Sequence, residues 1–274
     1  MSGAHRVVLV TGASSGIGAC CAAFLAKSGY RVYGGSRGAV TAPGVEALTL
    51  DVTDDASAAQ AIEIILTREG RLDVLVNNAG FGIAGAIEDT SIDEAREQFE
   101  VNFFGVSRMC RAALPSMREK KAGYIVNIGS IGGLIAIPFQ GFYSASKFAL
   151  EGLSEALRLE VRPFGIHVVL IEPGDHRTSF TQNRRSTRGS AEGSPYRDRF
   201  ERAIARMAAD EQGGPSPEAV ARLLCKVLNR ANPRLRYTVG PAPQRAAVWL
   251  KRSMPYAVIE KIMQDYYSRR EVLP

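Results

Sequence analysis

Tyr143 and Lys147 lie four residues apart in Gly141-Phe142-Tyr143-Ser144-Ala145-Ser146-Lys147. On a helix that begins near Tyr143, this step puts both side chains on one face. A phenol with a reference pKa near ~10 is a poor acid or base at neutral pH, and an adjacent ammonium favours its phenolate form. A phenol tuned in that way can give a proton to a carbonyl oxygen or take one from an alcohol. The same spacing also occurs on helices as a plain solvated pair. The elements around it have to decide which it is.

Those elements start with Arg6-Val7-Val8-Leu9-Val10, a short apolar run of the kind that forms a buried parallel strand. Thr11-Gly12-Ala13-Ser14-Ser15-Gly16-Ile17-Gly18 follows, then a helical pattern through Cys20, Phe24 and Leu25 to Gly29. Strand, glycine-rich turn and helix together suit a phosphate group. The glycines allow close backbone approach, and the helix start offers free N–H groups. Tyr30–Gly35 reads as a second strand, and it ends in Ser36-Arg37 where dinucleotide folds often place an acid. A carboxylate would repel a 2′-phosphate, whereas a guanidinium holds one, so NADP(H) is expected in preference to NAD(H).

Further strands are expected at Glu46–Leu50 before Asp51-Val52, at Asp73–Val76 before Asn77-Asn78-Ala79-Gly80, at Tyr124–Ser130, at Ile166–Ile171 before Glu172-Pro173-Gly174, and at Leu235–Val239. Helices are expected at Ala56–Arg68, over much of Glu88–Leu114, from Tyr143 to Val161 and at Pro217–Leu228. This alternation predicts an α/β fold: one doubly wound, seven-stranded, mostly parallel sheet with helices on both faces. Ser130 then falls at a strand's carboxyl end, the edge where such sheets bind ligands. Asn102, inside the apolar Val101-Asn102-Phe103-Phe104 run, must find partners. It either ties neighbouring backbone together or positions a water.

Residues 178–215 change character, with Asn183-Arg184-Arg185-Ser186-Thr187-Arg188-Gly189-Ser190, Gly193-Ser194-Pro195 and Gly213-Gly214-Pro215. A long segment of this kind at a ligand edge predicts a lid or substrate loop. Ala246–Tyr267 forms an amphipathic tail, expected to cover the cavity or a subunit contact rather than to meet a membrane. The domain expectation is therefore residues 1–240 as one unit, with 241–274 packed on it as a helical extension.

Composition narrows the class. The chain has 274 residues, 46% hydrophobic and 23% charged, as ordinary globular proteins do. No apolar run reaches the ~18 residues of a membrane span and the first residues lack a signal-peptide core, so a cytoplasmic protein without an integral span is expected. Cys20, Cys21, Cys110 and Cys225 have no CxxC spacing and are expected as reduced, buried thiols. With three histidines, none near a cysteine at ligand spacing, no metal site is expected. Residues 178–274 hold 18 Lys or Arg against 9 Asp or Glu, or +9, which leaves −3 of the net +6 for residues 1–177. No aromatic-interleaved basic motif accompanies that charge, so nucleic acid is not an expected partner.

Taken together, Thr11–Gly18, Asp51-Val52, Asn77–Gly80, Asn102, Ser130, Tyr143–Lys147 and Pro173-Gly174 resemble the classical short-chain dehydrogenase/reductase family in kind, order and separation. The resemblance implies a single-domain Rossmann fold and hydride exchange between a nicotinamide and a carbonyl/alcohol pair. It assigns Tyr143 as general acid/base, and Lys147 as the group that tunes it and holds the nicotinamide ribose. Ser130 would orient the substrate carbonyl, and Asn102 would anchor a relay water. It assigns the cofactor to Gly12, Ser14, Ser15, Gly16, Ile17 and Gly18 at the pyrophosphate, and to Ser36 and Arg37 at the ribose. Asp51 and Val52 would meet the adenine, while Asn78, Ala79, Gly80, Pro173, Gly174 and Thr178 would face the remainder.

Ser36-Arg37, Phe139-Gln140-Gly141-Phe142-Tyr143 and Pro233–Gly240 before the tail look like the branch holding 17β-hydroxysteroid and retinol dehydrogenases. This implies a medium-sized lipophilic substrate, steroid-, retinoid- or ketoacyl-like, and a homodimer or homotetramer through the Asn102 and Tyr143 helices. One departure is Asp175-His176, which replaces the usual small or apolar pair and adds polar groups beside the nicotinamide. The competing reading is a non-catalytic NADP(H)-binding sensor or scaffold. Such proteins typically lose the tyrosine or the lysine, and this chain keeps both.

Overall fold

The computed structural model describes residues 5–190 and 193–268. Residues 191–192 of the expected lid, and the ends of the expected 1–240 and 241–274 units, lie outside that range. In chain order the elements are β1 (Val7–Thr11), α1 (Gly16–Lys27), β2 (Arg31–Ser36), β3 (Val45–Thr49), α2 (Asp55–Glu69), β4 (Val74–Asn77) and β5 (Ile83–Ala84). Next come α3 (Ile92–Phe99), α4 (Gly105–Glu119), β6 (Gly123–Ile128), α5 (Gly141–Val161) and β7 (Ile166–Pro173). The chain then runs through α6 (Phe180–Asn183), β8 (Arg185–Ser186), α7 (Arg197–Gly213), α8 (Glu218–Leu228), β9 (Arg236–Val239), α9 (Ala242–Ser253) and α10 (Tyr256–Ser268).

Seven strands pair in the order β3-β2-β1-β4-β6-β7-β9, every pair parallel, so the sheet is wholly rather than mostly parallel. Strand residues alternate between two cores, as the period of two requires. Leu9, Leu75, Ile125 and Leu170 pack on one face with α2, α4 and α5 residues such as Ile65, Met109 and Leu150. Val10, Val76, Val126 and Val169 pack on the other with α1 and α8 residues such as Leu25 and Leu224. Both faces are thus covered. This is why the strands read as continuous apolar runs rather than alternating ones.

Local chemistry fixes the element ends. Asp54 accepts a bond from Ala56 N at the start of α2, and Gly70 at φ 65° ends that helix. The helix expected from Glu88 starts later, at Ile92, because Ser91 and Glu94 form a capping box there. It passes through a π-helical turn at Glu100–Phe104 before continuing as α4. The tail is two helices rather than one continuous stretch, broken at Met254-Pro255. A second, two-stranded parallel sheet pairs β5 with β8, which the sequence reading does not anticipate. All four cysteines are free; Cys21 and Cys110 are buried, but Cys20 and Cys225 only partly so, against the expectation of four buried thiols.

Candidate active site

The carboxyl ends of β1, β4, β6 and β7 open onto one cavity of about 920 Å³. Topology puts it there, since strand order reverses between β1 and β4 and leaves a crevice at that edge.

The β1–α1 turn forms one wall. Gly12 and Gly16 adopt φ of 67° and 56°, conformations in which a side chain is strained. A Cβ on Gly12 would stand 2.8 Å from Ala79 Cα, and one on Gly18 would stand 2.2 Å from the Gly12 carbonyl oxygen. Gly18 therefore serves the turn from behind, whereas Gly12, Ser14, Ser15, Gly16 and Ile17 line the cavity. Asn78 braces the turn from β4. Its Nδ2 donates to the carbonyls of Thr11 (2.9 Å) and Gly12 (3.2 Å), while Thr11 Oγ1 accepts from the backbone N–H groups of Asn78 and Ala79 at 3.0 Å. Thr178 and Ser179 close over Gly16 from the other side.

Ser36, Arg37, Asp51 and Val52 line the far end of the same wall. Arg37 is mostly exposed and its guanidinium lies 3.9 Å from Asp51. Against the upward push of partial burial, hydrogen bonds from Thr53 and the charge of Arg37 hold the Asp51 carboxyl below its ordinary range. A backbone cradle that a single Cβ would fill, a helix N-terminus and an exposed cation beyond it fit a dinucleotide. Pyrophosphate suits the Gly12–Ile17 turn, and a ribose phosphate suits Ser36 and Arg37.

At the centre, α5 brings Tyr143 and Lys147 to the cavity wall, and Ser130 faces them from the end of β6. Buried amides set the helix against the sheet: Asn77 Nδ2 donates to Asn127 Oδ1 (2.9 Å), and Asn127 Nδ2 donates to Ser154 Oγ of α5 (2.8 Å). Lys147 Nζ donates to the Ile128 carbonyl at 2.9 Å, and burial brings its pKa down to about 8. Burial also pushes the Tyr143 phenol up to about 12, only partly offset by its hydrogen bond with Ser130. The surroundings thus act on the phenol with a sign opposite to that of the Tyr–Lys pairing taken alone, and they hold it protonated. Asn102 is buried and does not line the cavity. Its side chain exchanges bonds with the Phe81 backbone (Oδ1 from N–H, Nδ2 to C=O, both 3.1 Å) and donates to Ser146 Oγ at 3.2 Å. Those bonds tie neighbouring backbone together, one of the two uses the sequence leaves open for that side chain.

The opposite wall comes from five elements. Pro173, Gly174, Asp175 and His176 leave β7, Phe180 and Asn183 belong to α6, and Met207, Asp210 and Glu211 to α7. Gln244, Ala247, Ile262, Met263, Tyr266 and Tyr267 come from α9 and α10. Phe180 packs on the Tyr143 ring with centroids 5.7 Å apart, and the Arg184 guanidinium lies over Phe180 at 5.8 Å. Glu211 then receives both Arg184 and Thr181, which latches α6 to α7. Asp175 is held by Gln244, whose Oε1 accepts from Asp175 N (2.9 Å) and whose Nε2 donates to its carboxylate. Burial raises Asp175 to about 6, with Glu211 and Asp210 adding to the push. His176 is buried and donates from Nδ1 to the Gly174 carbonyl at 2.9 Å. It therefore makes the local structural bond.

The sequence reading brings Ser130, Tyr143, Lys147 and the cofactor residues to one cavity, apart from Gly18 and Asn102, which support it from behind. The sequence marks that wall through the 178–215 segment, the amphipathic tail and the polar Asp175-His176 pair, but does not single out Phe180, Asp210, Glu211 or Gln244.

This fold and this arrangement agree with the comparisons. Residues 6–189 match the family described as short chain dehydrogenase, and the chain belongs to that family. It is 44% identical over 266 residues to a 3-ketodihydrosphingosine reductase of Bacteroides thetaiotaomicron, covering 97% of this chain and 99% of the relative. It is 38% identical to human 17-beta-hydroxysteroid dehydrogenase type 1, over 85% of this chain and 77% of that one. A short-chain dehydrogenase from Streptomyces avermitilis has the same architecture, with a TM-score of 0.82 at 35% identity, covering 98% of this chain and 99% of its own. The protein is thus an oxidoreductase of the short-chain dehydrogenase/reductase family, which works with NAD(H) or NADP(H).

Proposed function

We propose that the protein is an NADP(H)-dependent reductase acting on the ketone of a lipophilic chain with a polar, hydrogen-bond-donating head, and catalysing the reverse oxidation of the alcohol. The observation that carries this is the composition of the two cavity walls on either side of Tyr143. Backbone cradle and Arg37 stand on one side, and an apolar passage with a carboxylate end on the other.

NADPH, when bound, supplies the hydride. The chain supplies the proton and the geometry. Tyr143, held neutral by burial, has a proton to give to the carbonyl oxygen as negative charge builds there. The Ser130 hydroxyl beside it orients that oxygen, and Lys147 supplies positive charge on the same helix face. Phe180 covers the tyrosine ring and excludes water from it.

Phe180, Met207, Ile262 and Met263 suit an alkyl chain or a fused-ring skeleton. Asp175, Asp210 and Glu211 disfavour a carboxylate substrate and suit an ammonium or hydroxyl head. The 3-ketodihydrosphingosine reductase relative supports the long-chain end of that range. The apolar Phe104, Phe148 and Leu159, exposed near and along α5, support self-association there.

The test is NADPH oxidation by pure protein with 3-ketodihydrosphingosine, a steroid ketone and a short ketone. Turnover is expected to be highest with the first and to fall about a thousandfold in Tyr143→Phe with cofactor binding retained. Absence of turnover with every ketone would leave the scaffold reading standing, and a Tyr143→Phe variant as active as the wild type would remove Tyr143 as the proton donor.

A further inference from the structure

A buried carboxylate on the catalytic helix has no part in the chemistry above. Tyr143, Lys147 and Glu151 follow a four-residue step along α5, so Glu151 stands one turn beyond the lysine on the same face. Both are buried, Lys147 at 6% exposure and Glu151 at 7%, and Glu151 does not line the cavity. A carboxylate out of water is costly unless it is bonded and paired. Glu151 meets that demand only in part. Its Oε2 accepts from Arg236 Nε of β9 at 2.7 Å, while its Oε1 is buried without a hydrogen-bond partner.

Two observations say what that second oxygen serves. The first is its place. A Cβ on Gly129 would stand 3.4 Å from Oε1, so the oxygen lies against the strand end between Ile128 and Ser130. The Ile128 carbonyl is the group that holds Lys147 Nζ. The second is the distribution of charge. Arg236 does not belong to Glu151 alone, since its guanidinium also bonds Glu155 at 2.9 Å and lies 3.8 Å from Glu172 of β7. The next buried cation on that face is Lys147. Burial lowers the lysine and the charge of Glu151 opposes it; burial raises Glu151, and Arg236 and Lys147 oppose that.

The other elements around α5 bring no rival charge. From α3 and the π-helical turn the buried polar groups are the amides of Gln98 and Asn102. Lys251 of α9 is bound to the Leu134 carbonyl and lies over Phe148. Asp175, Arg184 and Glu211 of the far wall act on Tyr143, whereas the charge that acts on Lys147 is that of Glu151.

We propose that Glu151 is the counter-charge that keeps Lys147 an ammonium in its buried place, a positioning residue that acts on the reaction through the lysine. The inference rests on the role given to Lys147 above. The positive charge offered to Tyr143 as it gives up its proton then persists to a pH at which a lysine buried alone would be neutral.

The test reads Lys147 directly. Full-length protein labelled with carbon-13 at lysine Cε is titrated by NMR, the Lys147 resonance being assigned by its loss in Lys147→Arg. Glu151→Gln keeps the side-chain shape and an acceptor for Arg236, and should move the Lys147 titration down by about one pH unit. Glu155→Gln removes an exposed carboxylate of the same cluster and should leave it in place. The alkaline limb of NADPH oxidation, with the panel ketone turned over fastest, should follow Lys147 down in Glu151→Gln and return in Glu151→Asp. Reciprocally, Lys147→Met should raise the titration of Glu151, read with carbon-13 at glutamate Cδ, by a similar amount. That arm decides the matter if Glu151→Gln does not fold, and neither titration requires turnover, so both stand apart from the choice of ketone. The proposal is overturned if Lys147 titrates alike in wild type and Glu151→Gln, if Glu155→Gln moves it equally, or if Lys147→Met leaves Glu151 unmoved. It is also overturned if the alkaline limb stays where it is while Lys147 moves.

Discussion

The two walls of the cavity are built on opposite plans. The cofactor wall consists of backbone and small residues at strand ends, braced by Asn78 and Thr11, and its geometry follows from sheet topology. The facing wall is made of side chains from β7, α6, α7, α9 and α10, held together by the Arg184–Glu211, Thr181–Glu211 and Asp175–Gln244 contacts. A wall of main-chain atoms gains little from side-chain charge and loses little with pH. A wall of buried ionic contacts depends strongly on side-chain charge and on pH. The difference predicts where substitution and acidity act.

The largest effect is expected at the latch. Glu211→Ala leaves the Arg184 side chain, only 4% exposed, without its carboxylate. Removing one partner of a buried pair should lower stability by about 3 kcal/mol and open residues 178–190 to proteolysis, while NADPH binding is retained. Equal loss of cofactor affinity would mean that the two walls are not independent. The melting temperature and limited digestion decide it.

Asp175 gives a smaller effect whose sign depends on pH. Its folded pKa, about 6, lies above the ordinary carboxylate value, so the folded chain holds the proton more tightly than the unfolded chain. Ionising it in place opposes folding. Its contribution to stability is therefore full at low pH and is lost as pH rises from about 4 to about 6. Asp175→Asn should match the wild type at pH 4 and exceed it at pH 7 by on the order of 2 kcal/mol, as read by denaturant melts at both pH values. A constant difference at the two pH values would remove Asp175 from the account.

The smallest is on the cofactor wall. Arg37→Asp should shift the ratio of NADP(H) to NAD(H) affinity about tenfold toward NAD(H), by direct titration, with the fold unchanged. An unchanged ratio would break the assignment of Arg37 to a ribose phosphate.

The same contrast governs what could be read from the residues alone. Apolar runs, glycines and strand-end positions are local signals, so the sheet, Gly12, Gly16, Ser130, Tyr143 and Lys147 all emerge from spacing. The Phe180 contact with Tyr143 and the Glu211 latch join residues 27 to 37 positions apart, and the change of character over residues 178–215 does not single them out. No periodicity marks them. Gln244 reaches Asp175 across 69 residues and is equally silent in the sequence. The sign at Tyr143 was missed for a related reason. Spacing reveals the neighbouring cation, whereas the burial that pushes the phenol up is a property of the assembled walls.

The short β5–β8 sheet has a consequence for how this enzyme can diversify. It seats residues 185–187 through main-chain bonds, Arg185 N–H to the Gly82 carbonyl at 3.0 Å and Thr187 N–H to the Ala84 carbonyl at 2.9 Å, beside the side-chain contacts of Arg185 with Glu97 and of Arg184 with Glu211. Steric demands fall on a few fixed points nearby, such as Gly85, where a Cβ would stand 2.1 Å from Thr187 Oγ1, and Gly189, where it would stand 2.4 Å from the Asp89 carbonyl oxygen. Exchange of Phe180 or Asn183, which face the cavity from the residues just before this sheet, therefore leaves both main-chain bonds in place while the shape of the cavity changes.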